Sequence, residues 1–306
     1  MRIAILGRSE LLYDTAVLLR KNGNAISCII TAQEAPEYLK TAGDFALLAK
    51  ELEVPYSCSS RITENISMLA DVKSDIAVSV NYPCIIPEVI TDLFPYGILN
   101  AHGGDLPRYR GNACQAWAIL NGEPRIGLCV HKMVGGELDS GDIIVRDYLP
   151  IDHTTKITTV HHWLNERIPP MFLQAVNILQ TDPGFVLESQ SKDPNGALRC
   201  YPRRPMDGRI NWHQTALQIL RLINASNKPY GGAFCEFEGE PLIIWDAELV
   251  SDNEQFCAVP GQVTNIGDGY IEVACAEGKL RLKQIEMSES VGSPSDRIKS
   301  LRKRLT

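Results

Sequence analysis

The feature that most restricts the fold is the alternation, in the first half of the chain, of short apolar runs with stretches of helical periodicity. "RIAIL" (Arg2 to Leu6) leads into "GRSELLYDTAVLLRKNG", whose apolar residues recur at helical spacing; "AISCIIT", a helical segment near Asp44 to Glu51, "DIAVSV" and "GILNAH" follow. Strands that alternate with helices pair in parallel, because each crossover returns the chain to the same end of the sheet. An α/β domain with a mostly parallel sheet and helices on both faces is therefore expected. Only Gly7 occupies the first strand-to-helix turn, so the G-x-G-x-x-G needed for close approach to a dinucleotide is missing. After "IGLCVHKMV", a further strand "DIIVRDYLPI" and a helix from about Lys156 to Gln180 complete this domain, expected over residues 1–184.

The character then changes. Pro, Gly, Asp and Ser punctuate "TDPGFVLESQSKDPNGALRCYPRRPMDGRINW", which reads as a linker and domain entry over residues 185–210. A helix near His213 to Ala225 precedes "GAFCEFEG", "PLIIWDAELV", "GQVTNIG", "GYIEVACAEG" and "KLRLKQIEM", alternating runs separated by glycine turns. They predict a small β-barrel, resembling an OB fold, over residues 211–306. Two cores suit a chain of 306 residues. The basic "RIKSLRKRLT" reads as a helix C-terminus whose cations complement the macrodipole.

Thirty Lys and Arg against 37 Asp and Glu leave a net charge of −7, which argues against a generic nucleic-acid surface. With neither a signal-like start nor an apolar run long enough to span a bilayer, a cytoplasmic protein without membrane association is expected. The nine cysteines are scattered with no C-x-x-C pair, pointing to a reducing compartment. His161 and His162 are adjacent on an expected helix and so face different directions, and no metal is expected there. Trp117, Trp163, Trp212 and Trp245 read as core or interface aromatics.

The chemistry concentrates in "GILNAHGGDLPRYRG". Alternate residues of a strand share a face, so Asn100 and His102 point the same way at a strand end, where ligands bind in open α/β sheets. Downstream, "MVGGELDSGDII" places Asp139 in a glycine-rich loop between two strands. An amide donor, an imidazole and a carboxylate are the parts of an acyl-transfer site, and none of them is a good nucleophile. No G-x-S-x-G elbow occurs, and Cys114 reads as a small apolar residue on a helix. Direct transfer to an amine follows. In that scheme Asn100 donates to the developing oxyanion, His102 manages the proton, and Asp139 steadies the incoming ammonium and the histidine's charge state.

"NAHGGDLPRYRG" with "GGELDSGDII" resembles the signature of the 10-formyltetrahydrofolate-dependent formyltransferases: Asn-x-His, a Leu-Pro-x-aromatic-Arg-Gly loop and Leu-Asp-small-Gly-Asp. The resemblance covers nearly the whole chain. It implies a Rossmann-like catalytic domain, Asn100, His102 and Asp139 as the catalytic set, and 10-formyltetrahydrofolate as co-substrate with no metal. It also implies that Tyr82, Pro83, Cys84 and Ile85, with the loop Gly136, Glu137 and Leu138, hold the donor. The chain departs from the common pattern at Gly104 and Asp105, where a Ser-Leu pair often stands, and in "GGELD", which is one residue longer; these changes are expected to alter the acceptor-side loop.

Two branches share this layout, sugar-nucleotide N-formyltransferases and methionyl-tRNA formyltransferases. The acidic balance, the sparse lysine of the barrel region and the paired arginines of "CYPRRPMDGRINW" favour the sugar-nucleotide branch, with methionyl-tRNA as the alternative acceptor. Arg8, Arg110 and the neighbouring Gly111 are candidate acceptor contacts, since arginine forks suit diphosphates. Arg203 and Arg204 are further candidates, with pairing to Asp207 as the competing expectation. The expected partners are a nucleotide-linked amino deoxysugar and the folate donor, with a homodimer possible. A non-enzymatic folate-binding regulator is the third reading, against which the joint presence of Asn100, His102 and Asp139 argues.

Overall fold

The computed structural model describes residues 1–251 and 254–306. It contains two compact units, neither continuous in sequence. The first comprises Met1–Cys114, Ile126–Leu149 and His161–Cys200, and the second Gln115–Arg125, Pro150–Val160 and Tyr201–Thr306.

The elements run β1 (Arg2–Gly7), α1 (Glu10–Lys21), β2 (Ala25–Thr31), α2 (Ala42–Glu51), β3 (Tyr56–Cys58), α3 (Ile66–Val72), β4 (Ile76–Val80), α4 (Glu88–Thr91) and β5 (Ile98–His102). Next come β6 (Tyr109–Gly111), α5 (Cys114–Asn121), β7 (Arg125–Lys132), β8 (Ile143–Pro150), α6 (Ile157–Thr181) and β9 (Leu198–Cys200). Local chemistry accounts for several boundaries. On α1, Leu11, Leu12, Thr15, Ala16 and Leu19 form the buried stripe that a 3.6-residue period predicts. Thr41 and Asp44 cap α2 reciprocally, satisfying two amides that the helix start would leave orphaned.

The first unit is built on a seven-stranded sheet in the order β3-β2-β1-β4-β5-β7-β8. Parallel pairing joins β3 to β2, β2 to β1, β1 to β4 and β4 to β5, whereas β7 runs antiparallel to β5. The expected mostly parallel sheet is thus found. Burial of Ile3 to Gly7 without alternation marks a strand covered on both faces. Ala4, Leu6, Cys28, Ile30, Ala77 and Ile98 share one core with Leu69, Ile90 and Phe94, so the pleat sends Ile3 and Ile5 to the opposite face. Because β1, β4 and β5 are parallel, Gly7, Val80 and His102 end at the same edge of the sheet.

The second unit holds α7 (Ala216–Ala225), β10 (Ala233–Phe237), β11 (Glu240–Leu249), β12 (Val263–Gly267), β13 (Tyr270–Ala274), β14 (Lys279–Met287), β15 (Ser290–Gly292) and α8 (Pro294–Arg297). Its antiparallel sheet runs β10-β11-β14-β13-β12, with β15 paired to β14. Leu242, Ile244, Ile271, Val273, Leu280 and Leu282 fill its core together with Ile219, Ile223 and Trp212. The basic terminal segment departs from expectation. Helix α8 spans only four residues, and the chain beyond it bridges the two edge strands. Thr306 and Glu236 exchange backbone hydrogen bonds at 2.9 and 2.7 Å, while the Leu305 amide donates to Gly261 and the Val263 amide to Lys303. Unpaired edge groups need partners, and these residues supply them, which outweighs the helix-dipole preference of the lysines and arginines.

Candidate active site

The site is built on one face of β5. Asn100 and His102 are alternate residues of that strand, and antiparallel pairing sets His131 of β7 directly opposite Asn100. The Asn100 Nδ2 lies 3.2 Å from His131 Nε2, and His131 Nδ1 lies 3.3 Å from the Lys132 carbonyl. A carbonyl only accepts, so Nδ1 carries a hydrogen; in the neutral ring Nε2 then accepts from the Asn100 amide, and in the protonated ring it donates toward Asp139. By the same reasoning His102 donates from Nε2 to the Tyr109 carbonyl at 2.7 Å, turning Nδ1 toward Asp139 Oδ2 at 3.5 Å.

Asp139 comes from the loop between β7 and β8 and sits between the histidines, its Oδ1 3.6 Å from His131 Nε2. Its side chain is 11% exposed, and the Gly111 amide donates to Oδ2 at 2.9 Å. Burial disfavours the charged form, but positive charge on His102, the hydrogen bond and charge that a protonated His131 offers and the Gly111 amide outweigh it and hold the carboxyl well below the usual carboxylate range. The backbone of Asp139 has φ 49°, the left-handed region that costs a non-glycine residue about 1–3 kcal/mol.

Two glycines are required by close approach. A Cβ on Gly104 would stand 2.5 Å from His102 Nε2 and 2.6 Å from the Tyr109 carbonyl, occupying the hydrogen bond itself. Gly111, at φ +104°, has the Cys200 carbonyl where its Cβ would be. That contact belongs to the parallel pairing of β6 with β9. The unusual Asp105 is tied down by the fold: Arg146 of β8 donates to its Oδ1 at 2.8 Å and to the Leu106 carbonyl at 2.7 Å, and Tyr148 reaches the same oxygen.

The two expected donor segments are neighbours, since the Gly136 amide donates to the Ile86 carbonyl at 2.9 Å. Tyr82 donates its hydroxyl to Ser59, while Pro83, Cys84 and Ile85 are exposed. Arg110 donates from Nη2 to Gln190 at 2.9 Å, and its Nε is buried without a hydrogen-bond partner. Arg8 is held by the carbonyls of Asn81 and Gln33 and lies over the Tyr38 ring. Arg203 donates to the carbonyls of Ala225 and Asp207 and to Ser226, and Asp207 accepts from the Arg204 amide, so this arginine pair braces the fold. Cys114 is buried beside Cys200; their hydrogen bond, with burial, pushes its thiol far up. Trp212 is a core residue, and Trp117 and Trp245 donate to Tyr201 and Glu286. Among the described residues, no group of His, Cys, Asp and Glu is arranged to hold a metal, and no helix is long and apolar enough to cross a membrane.

His131 escaped sequence reasoning. Its one signal is a lone histidine inside the apolar run "IGLCVHKMV", and its meaning depends on the antiparallel return of β7.

An amide donor, two imidazoles and a buried carboxylate on one face of an α/β sheet are the equipment of acyl-group transfer. The formyl transferase profile matches residues 1–176 and that of the formyl transferase C-terminal domain residues 203–296; the chain belongs to the formyl transferase family. Solved structures of the same fold include an N-formyltransferase from Helicobacter canadensis in complex with folinic acid and dTDP-3-aminofucose, at TM-score 0.70 and 16% identity over 92% of this chain and 99% of that one. WlaRD, a sugar 3N-formyl transferase solved in the presence of dTDP and 5-N-formyl-THF, gives 0.67 and 16% over 95% and 98%. HypX from Aquifex aeolicus in complex with tetrahydrofolic acid gives 0.59 and 19% over 89% and 46%, so the chain spans about half the length of HypX.

Proposed function

We propose that this chain transfers a formyl group from 10-formyltetrahydrofolate to the amine of a nucleotide-linked amino deoxysugar. The observation that carries the reading is the convergence of Asn100, His102, His131 and Asp139 on one face of β5 and β7. The Asn100 amide has two N–H groups. One is engaged by His131, and the other donates to the formyl oxygen as the acceptor amine attacks the carbonyl carbon. The ionised Asp139 attracts the ammonium form of the acceptor, which loses one proton through the Asp139–His102 pair to solvent before its lone pair attacks, and the pair then relays the second proton, released as the C–N bond forms. The tetrahedral intermediate collapses by breaking the bond from the formyl carbon to N10, and the proton passes to that leaving nitrogen. Cys114, held as a thiol, takes no part.

Tyr82, Pro83, Cys84 and Ile85, with Gly136, Glu137 and Leu138, hold the folate; the hydrogen bond that joins the two segments supports this. Arg110 and Arg8 serve the acceptor. A buried guanidinium N–H that lacks an acceptor suits an anionic group, and this favours Arg110.

Two observations favour the sugar nucleotide over methionyl-tRNA. The net charge is −7. Many cations of the second unit are paired with carboxylates: Arg281 with Glu272, Lys283 with Asp246 and Glu248, Arg209 with Glu236, and Lys156 with Asp246.

The test is incubation with the formyl donor and, separately, dTDP-, UDP- and GDP-linked amino sugars and charged initiator tRNA, read by mass. A formylated sugar nucleotide is expected. Formylated tRNA alone would replace this reading with the tRNA one, and folate binding with no adduct would leave a regulator.

A further inference from the structure

Gln190 lies in the stretch that the sequence marks as a linker, yet it is 8% exposed and touches both loops of the site. Its Nε2 donates to the Asp139 carbonyl at 2.9 Å and to the Gly141 carbonyl at 2.6 Å, and its Oε1 accepts from Arg110 Nη2 at 2.9 Å. The network fixes the amide's orientation, because a guanidinium only donates and carbonyls only accept.

The stretch itself is anchored on either side of Gln190. Glu188 exchanges backbone hydrogen bonds with Ile143 at 2.8 and 2.9 Å, and β9 pairs with β6. Asp139 occupies a left-handed backbone conformation that persists only where its surroundings enforce it. Two groups grip it: the Gly111 amide on the carboxylate and the Gln190 amide on the carbonyl.

We propose that Gln190 is a positioning residue for the transfer, holding the Asp139 carboxylate against His102 and His131 and, through the same amide, holding Arg110 beside it. This rests on the formyl-transfer reading for its kinetic part only. Two variants separate the two halves of the amide. Gln190→Leu removes both. Gln190→Glu keeps the acceptor for Arg110 but turns an oxygen, in place of the donor, toward the two carbonyls.

The first measurement needs no substrate: the carboxyl signal of Asp139 in protein labelled with 13C-aspartate, followed through a pH titration. In the wild type it is expected to keep its ionised position well below the pH at which an ordinary aspartate titrates. In both variants its midpoint is expected to rise toward the ordinary carboxylate range. In turnover, kcat is expected to fall about tenfold or more in both variants, with KM for the donor within about threefold of wild type. KM for the acceptor rises in Gln190→Leu alone. The proposal is overturned if folded variants leave the Asp139 midpoint unmoved, whatever happens to kcat, or if activity falls only with the folded fraction. If no acceptor is turned over at all, the titration still decides the role of Gln190 while the functional reading fails separately.

Discussion

Asn100 offers a hydrogen-bond donor while already held by His131, so under the proposed mechanism its loss should act on the transition state and leave ground-state binding alone. Asn100→Ala is expected to lower kcat roughly a hundred- to a thousandfold with donor affinity retained, measurable by steady-state kinetics beside folate titration. Gly104→Ala drives a methyl into the His102–Tyr109 hydrogen bond, and a displaced imidazole should cost about a hundredfold in kcat. The depressed Asp139 carboxyl also makes a statement about stability. A group whose folded pKa lies below its unfolded value, about 3.9 for aspartate, stabilises the native state above that value and loses this contribution as pH falls toward the folded one. Urea unfolding of Asp139→Asn should therefore show its largest deficit against wild type above about pH 5. That deficit should shrink below pH 4, and an equal deficit at pH 3 would contradict the assignment. At this scale the pairing of Asn100 with His102 could be read from strand alternation, and Asp139 from a glycine-rich loop. His131 and Gln190 could not, because their meaning comes from partners 31 and 51 residues away.

Among the elements, the parallel strands β1, β2, β4 and β5 announce themselves as apolar runs bounded by turns, and α1 by its buried stripe. The strands that complete the site do not. β6 and β9 have three residues each, too short for alternation to show, and their pairing depends on one glycine at φ +104°. The terminal segment misled for a different reason. Its lysines and arginines dominate the composition, whereas the structure is decided by one apolar side chain and four backbone groups. Leu305 is 1% exposed within the core of the second unit. Leu305→Ala should destabilise the protein by about 2–5 kcal/mol, read as a lower urea midpoint at unchanged slope. An effect within 0.5 kcal/mol, the range of ordinary surface substitutions, would mean that the segment merely rests on the sheet.

The whole molecule is acidic, and its second unit balances cation against carboxylate along β11, β13 and β14. Such a surface has few counterions to release on meeting a polyanion. Turnover of the sugar nucleotide should be insensitive to added bulk RNA and should change only modestly between 50 and 200 mM salt. A tRNA-dependent enzyme making 6–10 phosphate contacts would lose about 10³ to 10⁵ in affinity over that range. Two domains of different class were legible from length and from the switch between helical and alternating periodicity. That neither unit is continuous was not, since residues 115–125 and 150–160 look like parts of the α/β pattern and belong to the second unit.

The order in which the residues occur has a consequence for synthesis. A ribosome releases every side chain proposed to meet the reacting carbon by residue 139, but Gln190 emerges some fifty residues later, after the long helix α6, and β9 later still. A nascent chain, or a fragment cut at residue 184, would thus carry a full complement of reacting groups with the aspartate loop lacking the second of its two grips. Any excised catalytic fragment has to extend through Cys200 to be judged fairly.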